Sequence, residues 1–170
     1  MKKIIIGTLI TILLALTVYI LWYTFPTQHI KTFEGVSFQL ESEAEAEKVN
    51  IHINGVVQRS LNGQRTFEGT IDIEGEVLPV PEDQRKVVVR FLENGLGSII
   101  YVGYKEDGKP YTYSYGTMFI NKNLSKLTIL KGDWTAANGL IISAPAGDRT
   151  EAVQISNELM REFLDGKSLR

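Results

Sequence analysis

The feature that most constrains this chain is an uncharged run from Ile4 to Phe25. As α-helix it extends about 33 Å, the thickness of a bilayer's hydrocarbon core. In that medium a helix is the one single-segment structure that satisfies every backbone N–H and C=O internally. Lys2 and Lys3 precede the run, and Tyr19, Trp22, Tyr23 and Phe25 gather at its far end, where amphipathic rings favour the headgroup layer. Pro26 is predicted to stop the helix. A cleaved signal peptide has an apolar region of only about 7–15 residues and a small-x-small site after it. Here the run is longer, its end is bulky, and no Ala-x-Ala follows. Residues 1–26 therefore read as an uncleaved signal-anchor helix. The lysines on the short side place the N-terminus in the cytoplasm and the main domain outside it, although His29 and Lys31 on the other flank reduce the asymmetry. Two other envelope starts fail. There is no Cys to acylate as in a lipoprotein, and a pilin-like start needs a Glu five residues after its Gly, where counting from Gly7 reaches Ile12.

The rest of the chain is long enough for one domain with its own core. A net charge of -2 and a pI near 5.7 argue against nucleic acid, which requires a basic field. With no cysteine, disulfides, thiolate metal sites and a Cys nucleophile are excluded.

Residues 27–48 read as a polar tether (Thr27–Lys31) and an acidic lead-in (Glu41–Glu47), the latter a solvated run lacking the Gly turn of a calcium loop. Residues 49–170 read as the extracytoplasmic β-rich domain. Val49, Ile51 and Ile53 alternate with polar residues, as do Ile71 and Ile73, and Val87, Val89 and Phe91 continue the pattern. Asn62-Gly63, Asn94-Gly95 and Asp107-Gly108 suggest tight two-residue hairpins, because both central residues of a type I′ turn need positive φ. Glu74-Gly75 is a further break, and Asn54-Gly55 is either a turn or a bulge within one longer strand. Leu127–Leu130 and Leu140–Ser143 are short strands, and Pro79 and Pro81 mark a break or an edge. At the C-terminus, Ala152, Ile155, Leu159, Met160 and Phe163 share a helical face over 149–165. Asp148 is the expected N-cap, Glu151 its capping-box acid, Arg161–Asp165 an i,i+4 pair and Gly166 the stop. The expected fold is α+β and β-rich: a transmembrane helix, an antiparallel sheet or meander, and a C-terminal amphipathic helix.

Chemistry-bearing patterns are sparse. His52 is the only histidine in the domain and has no ligand or base partner nearby in sequence. Asp72 and Glu74 share the polar face of one strand, not the two sides of a cleft. No nucleophile elbow, zinc-protease motif or phosphate loop is present, so no catalytic residue, metal site or cofactor is expected. Five tyrosines cluster at Tyr101, Tyr104, Tyr111, Tyr113 and Tyr115. A two-residue turn at Asp107-Gly108 would put Tyr104, Tyr111, Val102, Tyr113, Ile100 and Tyr115 on one face, and Tyr101 with Thr112 and Ser114 on the other. The first set is either an aromatic platform for a sugar or peptide or a core-facing surface. If it faces the core, Tyr101 faces out. Trp134 sits in a turn-rich loop, as a binding anchor or a plug over the core. Trp134 and Tyr101 are thus the candidate binding surface.

Phe67–Gly75, Tyr113–Asn121, Ser125–Ile129 and Ile142–Ala146 carry a resemblance. These segments look like the uncharacterised, N-terminally membrane-anchored extracytoplasmic proteins of Bacillus-type Gram-positive bacteria. The resemblance covers most of the domain and implies a cell-envelope address without adding a site residue. The expected function is a non-enzymatic envelope binding or interaction module. Its partners would be membrane lipid through the N-terminal helix, and an envelope protein, a wall polymer or a small ligand through the domain. The alternatives are a hydrolase or isomerase with a site scattered in sequence, and an inhibitor or immunity-type module.

Overall fold

The structure, a computed structural model, describes residues 2–40, 46–134 and 139–169; most of the acidic run lies outside them. Helix α1 (Lys2–Thr24) begins with two lysines, and its span from Ile4 is long and apolar enough to cross a membrane. The hydroxyls of Thr8, Thr11, Thr17 and Thr24 each donate to the carbonyl four residues back, so these four hydroxyl donors are satisfied within the helix itself.

Eight antiparallel strands follow: β1 (Thr27–Gln39), β2 (Glu47–Arg59), β3 (Arg65–Ile73), β4 (Val87–Phe91), β5 (Leu96–Tyr104), β6 (Pro110–Ile120), β7 (Leu127–Lys131) and β8 (Leu140–Ala144). Residues 27–39, which the sequence places in the tether and lead-in segment 27–48, form β1. Its first half is exposed and polar, so it lacks the alternation that marks a half-buried strand. Asn54-Gly55 lies inside β2, and Gly55 faces Gly69 across the ladder.

Each expected Asn-Gly or Asp-Gly hairpin turn is one residue longer than a type I′ turn. Lys105 N–H donates to Lys109 O (2.9 Å) and Gly108 N–H to Lys105 O (2.8 Å), enclosing three residues. The turns at Ser60–Gln64 and Leu92–Leu96 repeat this pattern. Only the glycine takes positive φ in each, +83° at Gly63, +82° at Gly95 and +78° at Gly108. The preceding Asn or Asp uses its side chain, accepting from the backbone N–H two residues on: Asn62 from Gln64, Asn94 from Leu96, Asp107 from Lys109. This is the three-residue hairpin with a bulged glycine.

The sheet order β4-β3-β2-β1-β8-β7-β6-β5 joins two four-strand meanders through β1 and β8. The turn at 92–95 brings β4 and β5 together at the other side, so the sheet curls into a nearly closed barrel with one open seam. Its interior core includes Phe33, Ile51, Phe67, Val89, Ile99, Tyr101, Leu127 and Ile129. A second core holds Val36, Phe38, Phe119, Leu130 and Ile141 against helix α2 (Arg149–Leu159) through Ala152 and Ile155, with Met160 just beyond the helix. Strands β7 and β8 are consequently buried on both faces, which accounts for their lack of a strict apolar–polar alternation. Between sheet and helix, Thr128, Ser143 and Ser156 form a buried hydroxyl chain (2.9 and 2.6 Å) ending on Ala152 O.

Asp148 caps α2 by accepting from Glu151 N–H (2.9 Å), and Glu151 returns a carboxylate oxygen to Gly147 N–H (2.8 Å). The helix ends at Leu159, six residues before the expected 165; turns continue to Gly166 at φ +74°. No Arg161–Asp165 ion pair forms among the described residues.

Candidate functional site

The extra turn residue decides where the tyrosines point. The observed partners are Tyr101↔Tyr113, Gly103↔Tyr111 and Tyr104↔Pro110, one residue offset from the two-residue turn. A one-residue slip exchanges the faces of a strand. Tyr101 is therefore not a surface residue. It is 1% exposed inside the barrel, and its hydroxyl donates to Ile71 O (3.3 Å). Burial, followed by the charge of Asp72, pushes its pKa up to about 12. Tyr115 also points inward, and Tyr111 and Tyr113 pack on the same core. This is the core-facing alternative for that part of the cluster. Tyr104, Val102 and Ile100 turn outward instead, 65%, 62% and 42% exposed.

Trp134 is half-buried. Its ring packs on the second core beside Phe163 (6.4 Å between centroids), and its indole N–H is enclosed without an acceptor among the described residues. Gly139 leaves the room: a Cβ there would lie 1.8 Å from Trp134 Cδ1. The ring thus plugs the sheet beneath its loop, of which residues 135–138 lie outside the described set. His52 pairs with Thr32 (2.9 Å) on the outer face of β2. No group of three or more metal-ligating residues occurs among the described residues.

The structure does assemble a groove of about 450 Å³ at the end of the barrel opposite α1. One wall is the strap from Ile73 to Arg85, presenting Pro79, Pro81 and Gln84; the other is the β5–β6 hairpin, presenting Tyr104, Lys105 and Tyr111. The strap is fastened at three points. Val80 is buried in the barrel core. Glu76 binds Lys131 through both carboxylate oxygens (2.7 and 2.6 Å). The Gln84 amide donates to Tyr104 O (3.3 Å) and accepts from Tyr104 N–H (2.7 Å), standing in for a neighbouring strand where the seam leaves β5 unpaired.

Beneath the strap, a pocket of about 80 Å³ gathers Asp72, Glu76, Arg85, Tyr101 and Tyr115. The Tyr115 hydroxyl is buried with no partner among the described residues. Burial, then the negative charge of Glu76, raises its pKa above the usual tyrosine range. Tyrosines held protonated in this way donate hydrogen bonds but serve poorly as bases or nucleophiles.

The groove opens onto the outer face of β5. There Ile100, Val102 and Tyr104 stand on alternate residues over about 14 Å, with Val88 exposed on β4 and Val77 (91% exposed) on the strap. An apolar strip next to an unpaired strand edge is unusual on a monomer's surface. The sequence hides it because each residue also fits a buried strand; the signal is the glycine of a three-residue turn, which sets the faces. No family model, curated relative or solved structure matches this chain.

Proposed function

We propose that this chain is a non-enzymatic, membrane-anchored binding module of the cell envelope. Its N-terminus is cytoplasmic, and its barrel lies outside the cytoplasm with the groove end facing away from the bilayer. The observation that carries the reading is the exposed strip Ile100–Val102–Tyr104 beside the open β4–β5 seam, at the opposite end from α1. A strip of aliphatic and aromatic side chains suits the apolar side chains of a protein partner, and the adjoining edge can accept main-chain hydrogen bonds from an extended segment.

The test is site-specific photocrosslinking from position 102 in intact membranes. Val102→Lys is an exposed change expected to alter stability by no more than about 0.5 kcal/mol, while Tyr104→Ala is expected to weaken partner binding by about 2 kcal/mol. Trp134→Ala should keep the crosslink and lower the melting temperature. A crosslink that survives Tyr104→Ala unchanged and disappears with Trp134→Ala would transfer the contact surface to the Trp134 loop.

A further inference from the structure

The end of the barrel nearest α1 has a different chemistry. Three segments meet there: the β2–β3 turn, the β4–β5 turn and the loop after β6. Together with Tyr23, in the last turn of α1, they enclose a cleft of about 560 Å³. Its charged lining is Arg59, Arg65, Lys122 and a single carboxylate, Glu93, an excess of two positive charges. None of the three cations has an ion pair among the described residues.

Arg65 makes this more than a basic surface. Its residue is only 9% exposed and lies against the Phe91 ring (5.8 Å). Nη1 donates to the carbonyls of Asn121 (3.0 Å) and Lys122 (3.2 Å), which leaves Nε and Nη2 without a partner among the described residues. A buried guanidinium without a carboxylate is costly, and its planar fork matches the oxygens of a phosphate. Burial and then the charge of Arg59 pull its pKa below the usual arginine range, the sign expected where two guanidiniums face one space. A second cleft, on the α2 side of Arg65 and Lys122, is lined by Glu158 and Glu162 as well as Arg161. Its charges balance, so the positive excess belongs to the α1 side.

The position supplies the anion. Only Phe25 and Pro26 separate α1 from β1, and the Tyr23 hydroxyl lies 4.0 Å from the Cβ position of Gly63 in the β2–β3 turn. The exposed apolar residues at this end, Leu61 and Leu92 at the turn tips and Trp22 and Phe25 at the helix end, suit the acyl–headgroup boundary. We propose that the Arg59–Arg65–Lys122 cleft holds the phosphate of an anionic phospholipid from the same membrane that α1 crosses. This rests on the anchored reading of α1 given above. Bound lipid would neutralise Arg65 and fix the barrel's seat on the bilayer surface.

The test titrates the full-length protein, in a nonionic detergent, with short-chain phosphatidylglycerol, short-chain phosphatidylcholine and inorganic phosphate. Phosphatidylglycerol should bind saturably and at least about tenfold more tightly than phosphatidylcholine, whose choline adds a cation to the site. Arg59→Gln with Lys122→Gln, both exposed changes, should weaken binding about thirtyfold, at about fivefold per cation, without moving the lipid-free melting temperature. Arg65→Lys keeps the charge and loses the fork, and should also weaken binding. Equal affinity for the two lipids, or undiminished binding by the double variant, would overturn the site. Inorganic phosphate binding as tightly as phosphatidylglycerol would overturn the lipid source. Alkaline carbonate extraction of membranes tests the anchor separately. Release into the supernatant sinks the anchored reading and the same-membrane source with it, whereas retention without lipid selectivity sinks the site alone.

Discussion

Tyr101 and Tyr115 share a pocket and a raised pKa but differ in one bond. The Tyr101 hydroxyl has a carbonyl partner, and that of Tyr115 has none among the described residues. Tyr101→Phe should therefore cost about 0.5–1.5 kcal/mol, while Tyr115→Phe should be neutral or slightly stabilising, since a buried hydroxyl without a bond contributes little. Thermal melts of the two variants check this order. A pH dependence follows from the same burial. An unfolded tyrosine ionises near pH 10, whereas folded Tyr101 holds its proton to about 12. Between those values the unfolded chain binds fewer protons than the folded one, so stability is fully present below pH 10 and declines as the pH rises towards 12. Melting temperatures across that window should fall less steeply in either Phe variant. A wild-type slope unchanged by both substitutions would show that other groups dominate alkaline unfolding.

At the scale of the element, the barrel depends on where its strands can approach. Gly55 and Gly69 face each other across β2 and β3. A Cβ on Gly69 would lie 2.2 Å from Asn54 O and 2.5 Å from the Gly55 Cα. Those are backbone atoms, which cannot rotate aside, so Gly69→Ala should destabilise by about 2 kcal/mol or more. Gly147→Ala is the comparison. Its Cβ would meet only a Glu151 carboxylate oxygen at 3.4 Å, and the expected change is within about 0.5 kcal/mol. Similar losses at both positions would show that the close approach of β2 and β3 is not what makes Gly69 necessary. The glycine pair explains how a 13-residue strand passes through Asn54-Gly55 without turning. A turn needs its flanking strands to pair with each other, and both sides of this dipeptide already pair with β1 and β3.

At the scale of the whole molecule, the two ends of the barrel have opposite characters. The α1 end carries cations and exposed leucines, and the far end carries the apolar strip and the groove. Because the chain contains no cysteine, single-Cys variants report position without background. With a membrane-impermeant maleimide on intact cells or spheroplasts, a Cys replacing Asp107 at the far hairpin tip should label and one replacing Lys3 should not. The reverse pattern would invert the orientation inferred from Lys2 and Lys3.

What the sequence determined by itself is what local chemistry settles. The apolar run from Ile4 required a helix, alternation placed most strands, and Asp148 with Glu151 marked the start of α2. The turn sites were legible as Asn-Gly and Asp-Gly, because a positive φ is inexpensive only for glycine. Tertiary structure decided the length of those turns, and with it the face on which every β5 side chain lies. One added residue is invisible to composition yet exchanges Tyr101 with Ile100 and Val102. It also decided that the polar start of β1 is strand, since that segment gains its hydrogen bonds from β2 and not from any pattern of its own. The charged cleft was beyond sequence reading for the same reason: Arg59, Arg65 and Lys122 lie in three places along the chain, and only barrel closure brings them to one end.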